Sequence, residues 1–396
     1  CSTTAYVTRT TAFAAMTPYR AIVGVETLGL SNAGFGIVMA LNALGSAFAA
    51  VSLGWISDKL QDRRSLVFLC AFAGVIAFGV IWAFQTPLVF ISAFCLLVPF
   101  GNALFSQTFS YSRAYYDRET PARSELTMSF LRSVFTLAWI VVPPLAGFIA
   151  AQWSAYSVFA FSAVAHLGCT LTIGVLWMQP SAKIGVKPKP KTGEPTTLLP
   201  KIRISRTYRL GVLGVALSLA ALQLNMVLLP LIIVRDLGGS FAQVGIAASL
   251  AAIIEVPVMI GWGYVALRLS KDTILAIASL TFALYFGLMF FVTSFTQVLL
   301  LQGFAAIAIA ALLSINISYL QEAIPGRMGL STSLVDVTRV VSVFAAAAIF
   351  SLNTGENYAP IMAAAALLAL AGTVLMMLAR RDRQRVLADL ARRRDA

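Results

Sequence analysis

Twelve apolar runs, each near twenty residues long, leave this chain few ways to fold. They lie at about 3–24, 33–53, 65–84, 88–111, 126–151 and 155–178, and then, after a polar gap, at 210–234, 244–267, 273–292, 298–317, 333–352 and 359–378. About twenty apolar residues span the hydrocarbon of a bilayer, and a mean hydropathy of +0.85 shows how far such runs dominate the composition. Lipid offers no hydrogen bonds to the backbone, so spanning segments must be helices or a closed barrel. The runs are continuous and lack the period-two alternation of barrel strands. The expected fold class is therefore an all-α membrane protein with twelve transmembrane helices in two six-helix halves. The halves are placed at 1–180 and 209–379, with a linker over 181–208 and a basic tail over 380–396. The first run carries Arg9 and Arg20 and follows Cys1 directly, so residues upstream are expected to be missing. Cys70, Cys95 and Cys169 lie inside runs without metal-like spacing and read as small core residues.

Charge placement orients the chain. Most of its 29 Lys and Arg residues fall in alternate loops and in the tail, among them Lys59, Arg63 and Arg64, then Arg113, Arg118 and Arg123, then Lys183 to Arg209, and finally Arg380 to Arg394. The intervening loops hold only Arg235. Basic loops stay on the cytoplasmic side, which puts both termini there. The net charge of +13 is accounted for by attraction to anionic membrane lipids, and no nucleic acid is needed to explain it. The Lys-Pro alternation of 183–199 reads as an extended linker.

One loop carries a motif. Residues 54–64 run Gly-Trp-Ile-Ser-Asp-Lys-Leu-Gln-Asp-Arg-Arg. This resembles the loop between the second and third membrane helices of the major facilitator superfamily, Gly-x-x-x-Asp-Arg/Lys followed by Gly and two basic residues, with Gln61 standing where the pattern has glycine. The superfamily's two halves are related by an internal repeat, and Gly54-Trp55 recurs as Gly261-Trp262 at the end of the eighth run. On this resemblance Asp58, Arg63 and Arg64 are gating residues that latch neighbouring helix ends in one conformation.

Ionisable groups at bilayer depth cost at least ~2.5 kcal/mol each and are functional candidates by default. Glu255 lies mid-way along the eighth run with no basic residue nearby in its own helix, and it is either a proton carrier or a protonated carboxyl bonded to a neighbouring helix. Arg132 in the fifth run has three open roles: pairing with a carboxylate, holding a substrate hydroxyl, or snorkelling to the interface. Asp336 and Arg339, three apart in the eleventh run, read as a structural ion pair. Arg9 should face a central cavity, and the lone histidine, His166, reads as a packed scaffold residue. Asn42, Asn102, Gln107, Gln223, Asn225 and Asn316 are polar but uncharged, and Trp139 offers a flat face. Such a set suits a neutral polar ligand, a sugar above all, although amides also glue helices together.

Further segments are similar to the bacterial sugar efflux transporters. They are Gly101-Asn102-Ala103 running to Ser112-Arg113-Ala114-Tyr115-Tyr116-Asp117, Phe130-Leu131-Arg132, Leu137-Ala138-Trp139, Pro143-Pro144, Glu255-Val256-Pro257, and Gln321 with Pro325-Gly326-Arg327. The resemblance implies a monomeric secondary transporter of the bacterial inner membrane that exports sugars or glycosides in exchange for protons. Glu255 would couple protons, while Arg132, Trp139, Asn102, Gln107, Gln223, Asn225 and Asn316 would bind substrate. No cofactor, metal or catalytic residue is expected. Export of drugs or other metabolites, and a sensor role on a transporter scaffold, are the competing readings. The fourth run lacks the Arg expected of drug/proton antiporters.

Overall fold

The computed structural model describes residues 2–57, 59–60, 62–119, 124–184, 208–324, 328–355 and 357–394. Its long helices are α1 (Ser2–Met16), α2 (Asn32–Ser57), α3 (Arg64–Phe84), α4 (Pro87–Glu119), α5 (Ser124–Gln152), α6 (Ser157–Trp177), α7 (Arg209–Asp236), α8 (Phe241–Val265), α9 (Lys271–Met289), α10 (Phe295–Glu322), α11 (Met328–Ser351) and α12 (Ala359–Arg394). Eleven of them, α2 to α12, are long and apolar enough to cross a membrane. The first expected span is divided: α1 stops at Met16, and helix resumes at Arg20 and widens into a π turn at Val23–Thr27. Pro18 explains the break, because it cannot donate the helical N–H and crowds the preceding turn. The basic tail continues α12 without interruption to Arg394.

The chain forms two compact units. The first holds Cys1–Gly193 with Leu229–Ser249, and the second holds Glu194–Leu228 with Leu250–Ala396. Within the first, α1 packs among α4, α5 and α6, and α3 packs on α6 and α4; within the second, α9 packs on α12 and α10. The pairings α3 with α6 and α3 with α4 thus recur as α9 with α12 and α9 with α10, six helices on.

Local sequence sets the helix boundaries. Gln85 takes a left-handed conformation (φ 51°) that ends α3, and Thr86 with Pro87 at once restarts the chain as α4, the Thr86 hydroxyl accepting from Val89 N at 3.4 Å. Ser294 and Gln297 form a reciprocal capping box at the start of α10, which satisfies two of the donors a helix start leaves open. Pro143 and Pro144 in α5, Pro230 in α7 and Pro257 in α8 sit inside spans, and the Ile140 carbonyl that Pro144 frees accepts from Ser249.

Close approach in the first unit depends on small residues. His166 is buried with its Nδ1 2.9 Å from Ser162 O, its ring lies tilted against Phe78 at 5.2 Å, and a methyl group on Gly74 would overlap it. The expected packed role of His166 holds. Cys70 and Cys169 are likewise fully buried. Gly74→Ala should therefore destabilise the protein by about 1–3 kcal/mol, the usual cost of overpacking, read as a lowered thermal midpoint in detergent. An unchanged midpoint would show that the ring moves freely.

Candidate functional site

The motif loop folds around an arginine. Arg64 opens α3 and is only 4% exposed. Its Nε and Nη2 donate to the Asp62 carboxylate at 2.9 and 2.7 Å, and its Nη1 donates to Leu176 O at 2.8 Å and Gln179 O at 3.1 Å. The last carbonyls of a helix lack partners within it, and Arg64 supplies them for α6. The segment that follows is fastened in the same way. Tyr111 of α4 donates to Ala182 O at 2.8 Å, Arg118 to Lys183 O at 2.8 Å, and the Arg63 N–H to Ile184 O at 3.1 Å. Arg63 also reaches Ser110 Oγ at 3.1 Å. Asp58, the expected latch, lies outside the described residues. Sequence reasoning passed over Asp62 as a partner; the signal was present in its position two residues before a helix-opening arginine.

The second unit repeats this arrangement with parts from elsewhere in the chain. Asp272 in the first turn of α9 is 1% exposed and pairs with Arg383 of α12 at 2.9 Å. Arg383 also lies over the Tyr208 ring at 3.9 Å and donates to Tyr319 Oη at 3.4 Å. Lys271 pairs with Glu322, which accepts from Tyr208 at 3.2 Å. The repeated Trp residues differ in use: Trp262 donates to Ile307 O at 3.0 Å, whereas exposed Trp55 carries Lys59 Nζ over its ring at 3.3 Å.

The intramembrane candidates divide between the units. Trp139, Asn102, Gln107 and the backbone of Arg132 belong to the first; the Arg132 side chain is outside the described residues. Trp139 meets Phe13 edge to face at 6.1 Å. Asn102 donates to Ser46 Oγ at 3.1 Å and Asn42 to Phe94 O at 2.7 Å, so both join α2 to α4. Gln107 is buried. In the second unit Gln223 is half-buried, and Asn225 and Asn316 are buried. Glu255 Oε1 and Asn316 Oδ1 are buried without a hydrogen-bond partner among the described residues. Asp336 and Arg339 are both exposed, and no ion pair between them occurs among the described residues.

A knot of backbone contacts closes the first unit at the end away from its basic loops. Tyr19 donates to Pro143 O at 2.6 Å and stacks on Phe241 at 6.1 Å. Ser249 donates to Ile140 O, and Arg235 pairs with Glu26 at 3.5 Å. A methyl group on Gly147 would overlap Tyr19 Oη and Phe241 O, and one on Gly245 would overlap Pro143 O and Tyr19 Oη.

Comparison with known proteins points one way. The sequence model of the Major Facilitator Superfamily matches residues 1–217 and 211–395. The chain is 31% identical to sugar efflux transporter B of Salmonella typhimurium over 70% of its length and 69% of that protein's. It is 29% identical to sugar efflux transporter C of Escherichia coli K12, with 70% and 69% covered. A crystal structure of the peptide transporter POT with sulfate superposes with a TM-score of 0.77 at 14% identity, covering 96% of this chain and 94% of the other. The nucleoside transporter NupG does so at 0.73 and 15%, with 96% and 98% covered.

The Asp62 carboxyl lies outside the spans and has a definite pH signature. Burial pushes it up, but hydrogen bonds from the Arg64 side chain and backbone, with the charges of Arg64 and Lys183, outweigh burial and hold it below the usual carboxylate value. A carboxylate held down in the folded state contributes stability that is complete above its unfolded value of about 3.9 and fades as pH falls through the folded one. The gap in thermal midpoint between the wild type and Asp62→Asn should thus be widest from pH 5 upward and narrow progressively as pH falls below about 4. A gap that does not vary with pH would show that the carboxylate charge contributes nothing.

Proposed function

The chain belongs to the Major Facilitator Superfamily, and from that premise we propose that it exports a sugar or glycoside in exchange for protons by alternating access. It is a multi-pass membrane transporter with a small-molecule cargo, and it is not an enzyme. The observation that carries the coupling reading is Glu255: its Oε1 is buried within α8 with no hydrogen-bond partner among the described residues. A buried carboxyl oxygen without a donor is costly. Protonation during the cycle, or a ligand's hydroxyl, would relieve that cost, and either event couples the group to transport. The sugar reading is supported by the names of the relatives and by the buried amides Gln107, Asn225 and Asn316, with Trp139 as the stacking face. Arg132, Asn102 and Gln223 complete the proposed binding set, although the bonds from Asn102 and Asn42 to α2 and α4 also fit a gluing role.

In this reading the divided segment Ser2–Thr27 acts as the twelfth span, and the two six-helix halves rock about the linker. The Asp62–Arg64 and Asp272–Arg383 clusters sit at the basic-loop ends and hold the bundles rigid there, while the knot around Tyr19, Gly147 and Gly245 is the gate at the other end. The positive loops and tail put both termini in the cytoplasm of a bacterial inner membrane, and the transporter works as a monomer.

Two experiments test this. Inverted vesicles carrying the protein should accumulate labelled disaccharide under an imposed pH gradient, and Glu255→Gln should abolish that accumulation while exchange of labelled for unlabelled sugar persists. Intact gradient-driven accumulation in the variant would remove Glu255 from coupling. Gly245→Val should wedge the knot open and, by at least about 1–3 kcal/mol of overpacking, bias the protein against closure. Transport should then fall about tenfold or more while ligand binding is retained. Wild-type rates in this variant would mean that the knot is not a gate.

A further inference from the structure

Two opposite charges on α11 have no partner among the described residues. Asp336 and Arg339 are both exposed, although they stand three residues apart on a helix, where an ion pair is within reach. They are also deep. α11 runs Met328–Ser351, and Arg339 is the twelfth of its 24 residues. By the rise of a helix, Arg339 lies roughly 17 Å and Asp336 roughly 12 Å from the nearer end, further than either side chain extends. Snorkelling to the interface therefore does not account for them.

The rest of the helix shows which way they face. Leu334, Thr338, Ser342 and Ala346 form its buried strip, and the Ser342 hydroxyl donates to Ala216 O of α7 at 2.9 Å. Val337 and Val341, each half exposed, form an apolar strip on one flank. The charged strip lies roughly 150° around the helix from that apolar one. Lipid suits the valines. A charge inside a span is almost always turned to a water-filled cavity or to the bundle interior, so the exposure of Asp336 and Arg339 marks an aqueous path along this side of α11.

A carboxylate only accepts hydrogen bonds and can take two O–H donors. A guanidinium only donates, through a planar fork. Neighbouring hydroxyls of a sugar ring answer both. The two charges cancel, so a cargo with net charge gains at one and loses at the other, whereas a neutral polyol uses both. We propose that Asp336 and Arg339 form a hydroxyl-reading subsite, Asp336 accepting from adjacent ring hydroxyls of the sugar and Arg339 donating to the oxygen beside them. This rests on the sugar-export reading and adds to it the pair that tells one sugar from another. Charge-assisted bonds are roughly twice as strong as those an amide makes, so a missing hydroxyl is felt most here.

Monodeoxy analogues of lactose test the proposal. In proteoliposomes of the full chain, loss of at least one ring hydroxyl should lower kcat/KM about tenfold, the worth of one hydrogen bond to a charged group. Asp336→Asn should lower that of lactose itself about tenfold, while that of the sensitive analogue should change by less than about twofold, because the same bond cannot be lost twice. Arg339→Lys, which keeps the charge and loses the fork, should show the same pattern at a neighbouring hydroxyl and serves if the asparagine variant fails to fold. In protein freed of its native cysteines, Arg339→Cys should react with a membrane-impermeant thiol reagent and be protected by lactose, whereas Val337→Cys should not react. The proposal is overturned if the folded variants slow lactose and every analogue by one factor, as a gate or a structural role would, if they carry lactose at the wild-type rate, or if Arg339→Cys is inert. If lactose is neither transported by the wild type nor raises its thermal midpoint, the sugar reading itself falls, and this proposal falls with it.

Discussion

The absence of water in the hydrocarbon is the constraint on which every other feature depends. A peptide group there must find its partner within the protein, which makes helices obligatory and renders each departure from regular helix visible as a local solution. The wide turn at Ala93–Leu97 lies where Asn42 donates to Phe94 O. Another, at Ile232–Asp236, follows Pro230. Ser249 donates to the carbonyl of Ile140, which Pro144 four residues on leaves without its helical donor. In lipid the amide and hydroxyl side chains act first as repair groups, and only those left over are open to a ligand.

The same constraint drives charge to the ends, and there both units solve one problem in the same way. A carboxylate at or just before the start of a helix (Asp62 for α3, Asp272 for α9) holds an arginine whose remaining donors fasten a later segment. In the first unit that segment is the chain leaving α6; in the second the arginine itself comes from α12. The aromatic hydroxyls repeat too, Tyr111 on α4 and Tyr319 on α10. Opposite charges in such a cluster offset one another's desolvation only when nearly every donor is used, and Arg64 meets that condition with bonds to Asp62, Leu176 O and Gln179 O.

This explains what the sequence discloses and what it withholds. Hydropathy periods reveal the spans because burial in lipid acts on every residue of a run, and eleven runs appear as helices, nine of them within about five residues of their expected bounds and two (88–111 and 359–378) running on well past their expected ends. The first run misleads because Pro18 sits inside an otherwise apolar stretch. The tail misleads in the opposite sense, since charge alone does not stop a helix. Pairings are less legible, because they are set by side chains far apart in the chain: Arg383 meets Asp272 across 111 residues, and nothing in the spacing of either announces the other. Asp336 and Arg339 are the reverse case, for the spacing permits a pair and none between them occurs among the described residues. Glu255 stands out in the sequence because it is a carboxyl in the middle of an apolar run, and the structure buries its Oε1.

The two ends of the first unit are built from different forces, and the difference bears on the proposed cycle. At the basic-loop end the contacts are charge-assisted, and their loss would strand a charged group in a poorly solvated site, so they resist opening. At the other end the knot relies on glycine surfaces, one tyrosine hydroxyl, ring stacking and a surface ion pair of Arg235 with Glu26, each worth about 1 kcal/mol or less. Contacts of that size can be made and broken as a set by a ligand's differential affinity of a few kcal/mol. A gate must be closed by interactions comparable to the binding energy that opens it, and the contacts of the proposed gate around Tyr19 are of that size.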